Sequence, residues 1–579
     1  MPRKLEPKQT KQQKALQMLR HSCSHILAQV VLELWPKTRL GIGPAIEDGF
    51  YYDFDDITLK PEDLEKIEKK MNEIVKKNLK FKRLSLTKEK AKSVLKGQKY
   101  KLELLKELPG KKISLYEHGG FIDLCKGPHI RSTSEIKAFK LLNIAGAYWK
   151  GDSKNKMLQR IYGTAFLTGD ELNNFLKIRE EAEKRDHKKI GKQLDLFSFH
   201  EEAPGFVFWH PKGMAIIDEL LNFWKQEHKK RGYLEVKTPI ILSKALWEQS
   251  GHWDHYKENM YFLKIDQRDF AVKPMNCPGG ILIYKEKIHS YRELPLKVAE
   301  LGLVHRHELS GVLSGLFRVR AFTQDDAHIY LEEDQIADEV SKVIELADYT
   351  YNLFGFEYSI ELSTRPKKSL GSKKIWDKAE AALKKALELK KSLYRLNKGD
   401  GAFYGPKIDF HLKDSIGRTW QCGTIQLDFA MPEKFWLTYE GKDGKKHVPV
   451  MLHRTVLGSI ERFIGVLIEH YAGKFPLWLA PVQTKIVTLA DRNIKFANEL
   501  KEKLSNQGLR IELDERPETM ARKIRDAETE KIPIILTIGD KEESSNTLAV
   551  RRGNKVEFNV KIEAFIESVL REIKAMKGL

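Results

Sequence analysis

The stretch Ala271–Tyr330 narrows the possible folds more than any other part of the chain, because its polar residues make chemical sense only if the fold gathers them. It opens with a Pro-Met-Asn-Cys-Pro-Gly turn around Cys277 and continues with an Arg-x-Glu unit, Arg306 and Glu308. Two further arginines follow, Arg318 and Arg320, and then an Asp-Asp-Ala-His end at Asp325–His328. Arginine grips polyphosphates because its planar fork pairs two oxygens at once. A thiolate and an imidazole brought together suit zinc. The segment therefore predicts one site that handles a nucleotide and a metal-bound second substrate together.

At 579 residues the chain is too long for one core, and about three or four domains are expected. With 41% hydrophobic and 31% charged residues it reads as a soluble globular protein. A formal charge of +20 favours a polyanionic partner, although a lysine-rich proteome would give the same excess. The four cysteines, Cys23, Cys125, Cys277 and Cys422, lie far apart, so no disulfide framework is expected and a reducing cytoplasm fits. No apolar run approaches the roughly 20 residues of a membrane span. The basic N-terminus, residues 1–20, lacks an apolar signal core and reads as a solvated tail.

Residues His21–Trp35 read as a helix closed by Pro36, with His21 and His25 on one face. Cys125 and His129 repeat that spacing around a Lys-Gly-Pro turn. Taken alone, the two pairs fit a four-ligand zinc site or a helix face with satisfied polar groups. Pro61–Leu79 has helical spacing, and Glu171–Lys189 is a charged helical stretch that reads as a connector. A long helix over Lys212–Lys230 and a strand ending at Pro239 come next. Ile375–Leu389 is again helical, Gln421–Asp428 reads as a polar strand, and HVPVMLHRT reads as a strand carrying His453 ahead of a helix with Arg462. Past Pro481, strands alternate with helices over Asn493–Leu504 and Thr519–Glu530, which predicts a small α/β domain.

The Ala271–Tyr330 segment resembles the second signature motif of class II aminoacyl-tRNA synthetases, and more narrowly the threonyl-tRNA synthetase family. Strings similar to that family run in its order from HSCSHILAQ through DLCKGPH, AGAYWKGDSKNKMLQRIYGTAF, EEAPGFVFWHPKG, GHWDHY, GAFYGPKIDF and QCGTIQLDF to VPVMLHRTVLGSIERFIG. The resemblance implies an α+β multidomain protein. Its parts would be an editing domain over 21–184, a class II antiparallel-sheet catalytic domain over 185–479 and an anticodon-binding domain over 480–579. The implied activity is ATP-dependent ligation of L-threonine to its tRNA by a homodimer, with hydrolytic editing of mischarged seryl-tRNA.

The same resemblance assigns residues. Cys277, His328 and His453 would hold one zinc ion per chain, which none of them suggests alone. Met275, Asp326 and Tyr404 would line the threonine pocket, with Asp326 accepting the hydroxyl proton. Arg306 would hold the α-phosphate and the substrate carboxylate, Glu308 would orient the adenine side, and Phe322 would stack on the base. Arg318 and Arg462 would take outer phosphates or the adenine face, Gln421 would add a further contact, and Mg2+ would accompany ATP. His252 and Lys407 are candidates for proton handling or charge stabilisation in transfer to tRNA. His21, His25, Asp123, Cys125 and His129 would line a metal-free editing pocket, with Tyr51 and Tyr52 beside it. Glu542 and Arg551 would read anticodon bases.

A pocket separates threonine from serine by a single methyl, worth about 1–3 kcal/mol, so a second, hydrolytic sieve is needed. Rejecting valine through a site built for a hydroxyl is far easier. The sequence departs from the family pattern at Pro517, where Asn is common, at Gly280 in place of His and at His307 in place of Asn. A ubiquitin-like domain that many members carry first has about twenty residues in its place here.

Overall fold

The computed structural model describes residues 10–152 and 154–576. The chain divides between Glu180 and Glu181 into two compact units. The first is built on helix α1, Lys11–Leu34, which starts ten residues earlier than its sequence periodicity suggests. Thr10 accepts from the Gln13 N–H while the Gln13 side chain returns the bond, a capping box that satisfies two helix-end donors. The expected solvated tail is corrected at its end: residues 11–14 are helical but exposed, whereas Leu19 and Arg20 are buried, and the Arg20 Nε donates to the Ala165 carbonyl at 3.2 Å. Residues 1–9 lie outside the described residues.

Helix α1 packs on an antiparallel sheet whose order is Arg39–Leu40, Gly49–Asp55, Met157–Phe166, Ala138–Tyr148. Ile26, Leu27, Val30, Phe50, Phe54 and Ile161 form the core between them, joined by the helix Asp63–Lys76. A smaller sheet of Lys82–Thr87, Lys112–His118 and Phe121–Leu124 carries the Cys125 turn away from its last strand. The single connector helix expected over Glu171–Lys189 is two helices, Gly169–Lys184 and α2, His187–Gln193. The break comes at Asp186, whose side chain caps the N–H groups of Lys188 and Lys189.

The second unit starts with α2, followed by α3, Pro211–Lys230, with proline at its first helical position where no N–H is needed. Next come α4, Cys277–Lys285, and strands β1, Leu296–His305, and β2, Ala321–Leu331. Strands β3, Lys407–Lys413, β4, Thr419–Asp428, and β5, Val450–Thr455, precede helix α5, Ile460–Tyr471. The central sheet has eight strands in the order Leu234–Glu235, β1, β2, β5, β4, β3, Glu357–Ser363, Tyr394–Asn397. It is antiparallel except for the pair at each edge. Successive strand residues face opposite sides, so Ala327, Ile329, Ile425 and Leu427 enter a core with α3 and α5. Their neighbours Asp326, His328, Thr424 and Gln426 are left for the other face.

Residues from Thr484 form a five-stranded sheet, parallel through Ile511–Asp514, Thr484–Thr488 and Ile534–Ile538 and closed by an antiparallel hairpin. Arg510 fixes this part to the rest of the unit. Its guanidinium donates to the Trp478 carbonyl at 2.7 Å and the Ala480 carbonyl at 2.9 Å and pairs with Glu219 on α3. Among the described residues no helix is long and apolar enough to cross a membrane.

Candidate functional site

One cleft of about 610 Å3 opens over the polar face of the central sheet. Arg306, Glu308, Arg318, Phe322, Gln421 and Arg462 all line it, as do Met275, Asp326, Tyr404, Cys277 and His453. Strand order explains the convergence. Residues far apart in sequence on β2, β4 and β5 are adjacent because those strands are neighbours, and His328 lies directly opposite His453 in the β2–β5 register.

At one end, ligand atoms of Cys277, His328 and His453 lie within 4.8 Å of one another, and all three residues are buried. Cys277 comes from the first turn of α4. The His453 Nε2–H donates to Asp428 at 3.0 Å, which leaves its Nδ1 as the nitrogen with a free lone pair. The His328 Nε2 is buried without any hydrogen-bond partner. Burial, with the Asp326 and Asp428 charges adding to it, pushes the Cys277 thiol well above its ordinary range, and burial pushes His328 down to about 4. An orphaned imidazole nitrogen, a second imidazole oriented by a carboxylate and a thiol fit a soft divalent cation, which would deprotonate the sulfur. Asp326 borders this cluster, accepting from the Asn276 amide at 3.3 Å. The Tyr404 hydroxyl donates to Gln426, and its ring lies 5.3 Å from that of His453.

At the other end the charges are partly paired. Arg318 forms an ion pair with Glu308 at 2.9 Å, and the Arg306 guanidinium lies 5.0 Å from the Phe322 ring and 5.7 Å from Tyr256. The Arg462 Nε is buried without a partner. Gly458, with φ +79°, is required where the chain turns into α5, since a Cβ would come within 2.6 Å of the Cys422 carbonyl oxygen. Asp325, pushed up to about 6 by burial, accepts from the N–H groups of Val456, Leu457 and Gly458 and so ties that turn to β2.

His252 is buried, with Nδ1 against the Ser250 hydroxyl at 2.8 Å and Nε2 against the Met275 sulfur at 2.9 Å. Burial lowers it to about 4, so it is a neutral imidazole near pH 7 and does not stabilise charge as a cation. Lys407 shares the polar face of β3 with Asp409, which holds its ammonium at 2.5 Å beside the residues that line the cleft. Asp409 also accepts from Gln421 at 2.8 Å and Thr424 at 2.9 Å. Sequence reading missed Tyr256, Thr424 and Gln426. The first closes the GHWDHY string and the other two lie in QCGTIQLDF, so alternation along β4 was the available signal.

In the first unit His21, His25, Cys125 and His129 meet, with ligand atoms within 4.8 Å of one another. Here the sulfur and the rings of His21 and His129 satisfy one another, while the His25 Nδ1 is buried without a partner. The Cys125 sulfur lies 3.4 Å from His21 Nε2 and 3.2 Å from His129 Nε2, and it accepts from the Gly127 N–H at 3.2 Å. The second nitrogens of His21 and His129 reach the Pro128 carbonyl and the Ser22 hydroxyl. Burial raises Cys125 to about 11 and lowers all three imidazoles, so the cluster is a thiol among neutral rings. Asp123 stands 3.9 Å from His25, held by the Tyr52 hydroxyl at 2.5 Å and the buried Lys101 ammonium at 2.7 Å. Tyr51 packs instead under the Arg160 guanidinium at 3.6 Å. Lys101 was not foreseen, being one lysine among many in its stretch. Of the anticodon candidates, Glu542 bonds the Gly539 N–H at the start of the helix Asp540–Ser545, and Arg551 lies on the strand Thr547–Arg552 with its Nε buried and unpartnered.

Residues 261–471 match the tRNA synthetase class II core domain (G, H, P, S and T). Residues 113–162 match the threonyl and alanyl tRNA synthetase second additional domain, and 478–572 an anticodon binding domain. The chain is 60% identical over 562 residues to the threonine–tRNA ligase of Carboxydothermus hydrogenoformans, covering 96% of this chain and 89% of that protein. The chain belongs to the threonine–tRNA ligase family. A second member, from Clostridium tetani, is 58% identical over 96% of this chain and 88% of its own length. A solved structure titled as the RNA binding domain of threonyl-tRNA synthetase from Cryptosporidium parvum Iowa II superposes with a TM-score of 0.64 at 39% identity, over 68% of this chain and 99% of that one. As a class II synthetase, this ligase has its core, additional and anticodon domains in the order the sequence strings implied.

Proposed function

We propose that this ligase activates L-threonine with ATP in the 610 Å3 cleft, transfers it to threonine tRNA, and hydrolyses seryl-tRNA at the histidine–cysteine cluster of the first unit. The observation that carries the reading is the junction, within one cleft, of a three-ligand cluster and a set of arginines. Cys277, His328 and His453 would hold zinc, which when bound offers a Lewis-acid position for the amino and hydroxyl groups of threonine. Asp326 would accept the threonine hydroxyl proton, while Met275 and Tyr404 shape the pocket around its methyl.

Arg306 would meet the threonine carboxylate and the α-phosphate where attack places charge in the transition state, and pyrophosphate would leave towards Arg318 and Arg462. Phe322 would take the base, with Glu308 at the adenine side and Gln421 beside it. Mg2+ would accompany ATP and offset the charge of its phosphates. In transfer, the neutral His252 would handle a proton through its hydrogen bonds at the pocket wall, while Lys407, held by Asp409, would act through the placement of Gln421. In the editing cluster the neutral imidazoles and Asp123 would orient a water molecule. Cys125, a thiol rather than a thiolate, would be a hydrogen-bond partner and not a nucleophile. Glu542 and Arg551 would face the anticodon, and the active form would be a homodimer.

Threonine-dependent pyrophosphate exchange, measured together with metal content, tests the reading. Wild type should contain one zinc per chain. Cys277→Ser should lose both zinc and exchange, while Arg306→Ala should keep zinc and lose exchange by about a hundredfold or more. Normal exchange in either variant would sink the assignment.

A further inference from the structure

We propose that His187 is a positioning residue that holds the loop Ser314–Val319 in the shape that binds ATP, a proposal that rests on assigning that side of the cleft to ATP. His187 belongs to the first turn of α2, is 2% exposed, and touches none of the residues assigned to substrate above. Its ring bridges two partners. Nδ1–H donates to Glu469 on α5 at 2.7 Å, and Nε2 accepts the backbone N–H of Leu316 at 3.0 Å. Because a main-chain N–H can only donate, Nε2 carries the lone pair and the tautomer is fixed. Both nitrogens are therefore engaged, and the grouping of Asp186, His187 and Glu469 has no free imidazole lone pair for a metal.

The anchor is itself held. Glu469 also accepts the His187 backbone N–H at 3.0 Å and pairs with Arg418 at 2.6 Å. The loop is anchored by the Leu316 side chain, buried in the core, but its backbone makes few bonds of its own. Ser314 donates to the Arg318 carbonyl at 3.2 Å and Phe317 to that of Ser314 at 2.9 Å. Leu316, Phe317, Arg318 and Val319 nevertheless form part of the cleft wall. Gly315 brings the turn close. Its φ is +51°, and a Cβ there would lie 2.2 Å from His187 Nε2. The Phe317 ring then packs 4.1 Å from His187 and 4.3 Å from Trp420. Without the Leu316 bond the loop would spend part of its time in other shapes, and apparent ATP affinity would fall by the fraction lost.

Two substitutions separate the two bonds. Gln places an acceptor near the position of Nε2 and loses the donor to Glu469, whereas Asn keeps a donor near Nδ1 and loses the acceptor for Leu316. His187→Asn should raise the ATP KM in pyrophosphate exchange about tenfold with kcat changed less than about threefold, and His187→Gln should keep KM within about threefold of wild type. Hydrogen exchange at the Leu316 amide should speed up in the Asn variant and not in the Gln variant. Gly315→Ala, which pushes the loop off the ring from the other side, should match His187→Asn and serves as the test if that variant does not fold. Equal KM values for Asn and Gln, or unchanged Leu316 exchange in both His187→Asn and Gly315→Ala, overturn the proposal. Arg318→Ala is the control: an unchanged ATP KM there would overturn the ATP assignment, and the proposal with it.

Discussion

His118 shows how a single buried side chain makes the editing unit sensitive to acid. Both its ring nitrogens are buried without a partner, and the ring lies 4.5 Å from that of Phe81, 5.3 Å from Phe121 and 6.5 Å from His25. Burial pushes its pKa down to about 4, against about 6.5 in the unfolded chain. The folded state thus binds its proton less readily than the unfolded one. Proton linkage adds no cost above pH 6.5, and stability falls as pH drops from there towards 4. His118→Phe, which fills the same aromatic site without a titrating group or unpartnered nitrogens, should be at least as stable as wild type in urea unfolding at pH 7. At pH 5 its advantage should have grown by about 2 kcal/mol. Parallel pH dependence in the two proteins would show that the proton goes elsewhere. Neither His118 nor Lys101 was readable beforehand, because no spacing marks them and tertiary burial alone makes them unusual. His21, His25, Cys125 and His129 were readable, because two pairs with the same three-residue gap are a pattern in the sequence itself.

Between elements, the crossing of β1 with the start of α4 governs the threonine end of the cleft. Gly302 lies on β1, and a Cβ on it would come within 2.2–2.4 Å of the Asn276 side chain. Asn276 is fully buried just ahead of Cys277 and donates to Asp326. Forcing a methyl into such packing costs about 1–3 kcal/mol, met here by moving Asn276. Gly302→Ala should therefore raise the threonine KM in pyrophosphate exchange about tenfold while the ATP KM stays within about threefold. A rise in both would mean that the whole sheet shifts instead. At this scale the sequence was informative where periodicity was strong, as in α3 and in the helix Lys373–Leu389. It misled at α1, whose lysine- and glutamine-rich start hides its helicity, although the Thr-x-x-Gln of the capping box was there to see. It misled again at Asp186, where a local cap divides a continuous charged run. The convergence of Cys277 with His453 could not come from spacing, since strand order, which puts β5 between β2 and β4, is a property of the whole sheet.

Across the whole molecule, two clusters of histidine and cysteine have been built to opposite ends. In the second unit the His328 Nε2 has no protein partner and Asp428 orients His453, so the set is left open for a cation. In the first unit the Cys125 sulfur and the nitrogens of His21 and His129 are taken up by one another, by Gly127, by Pro128 and by Ser22. The His25 Nδ1 is also buried without a partner, so the difference lies in the sulfur: a cation at Cys125 would have to displace three contacts the sulfur already makes, whereas at Cys277 it would meet a buried thiol beside the unsatisfied His328 nitrogen. Each cluster also belongs to its own compact unit. A chelator such as 1,10-phenanthroline should therefore separate the activities. Threonine-dependent exchange should be lost and return on adding zinc, while hydrolysis of preformed seryl-tRNA by the same treated protein should continue at its original rate. Loss of both activities, with zinc restoring both, would make the first cluster a metal site and end the argument that its neutral rings work alone on water. Persistence of exchange after the metal has been shown to leave would instead remove zinc from threonine selection, and Asp326 with the cleft wall would have to carry that selection unaided.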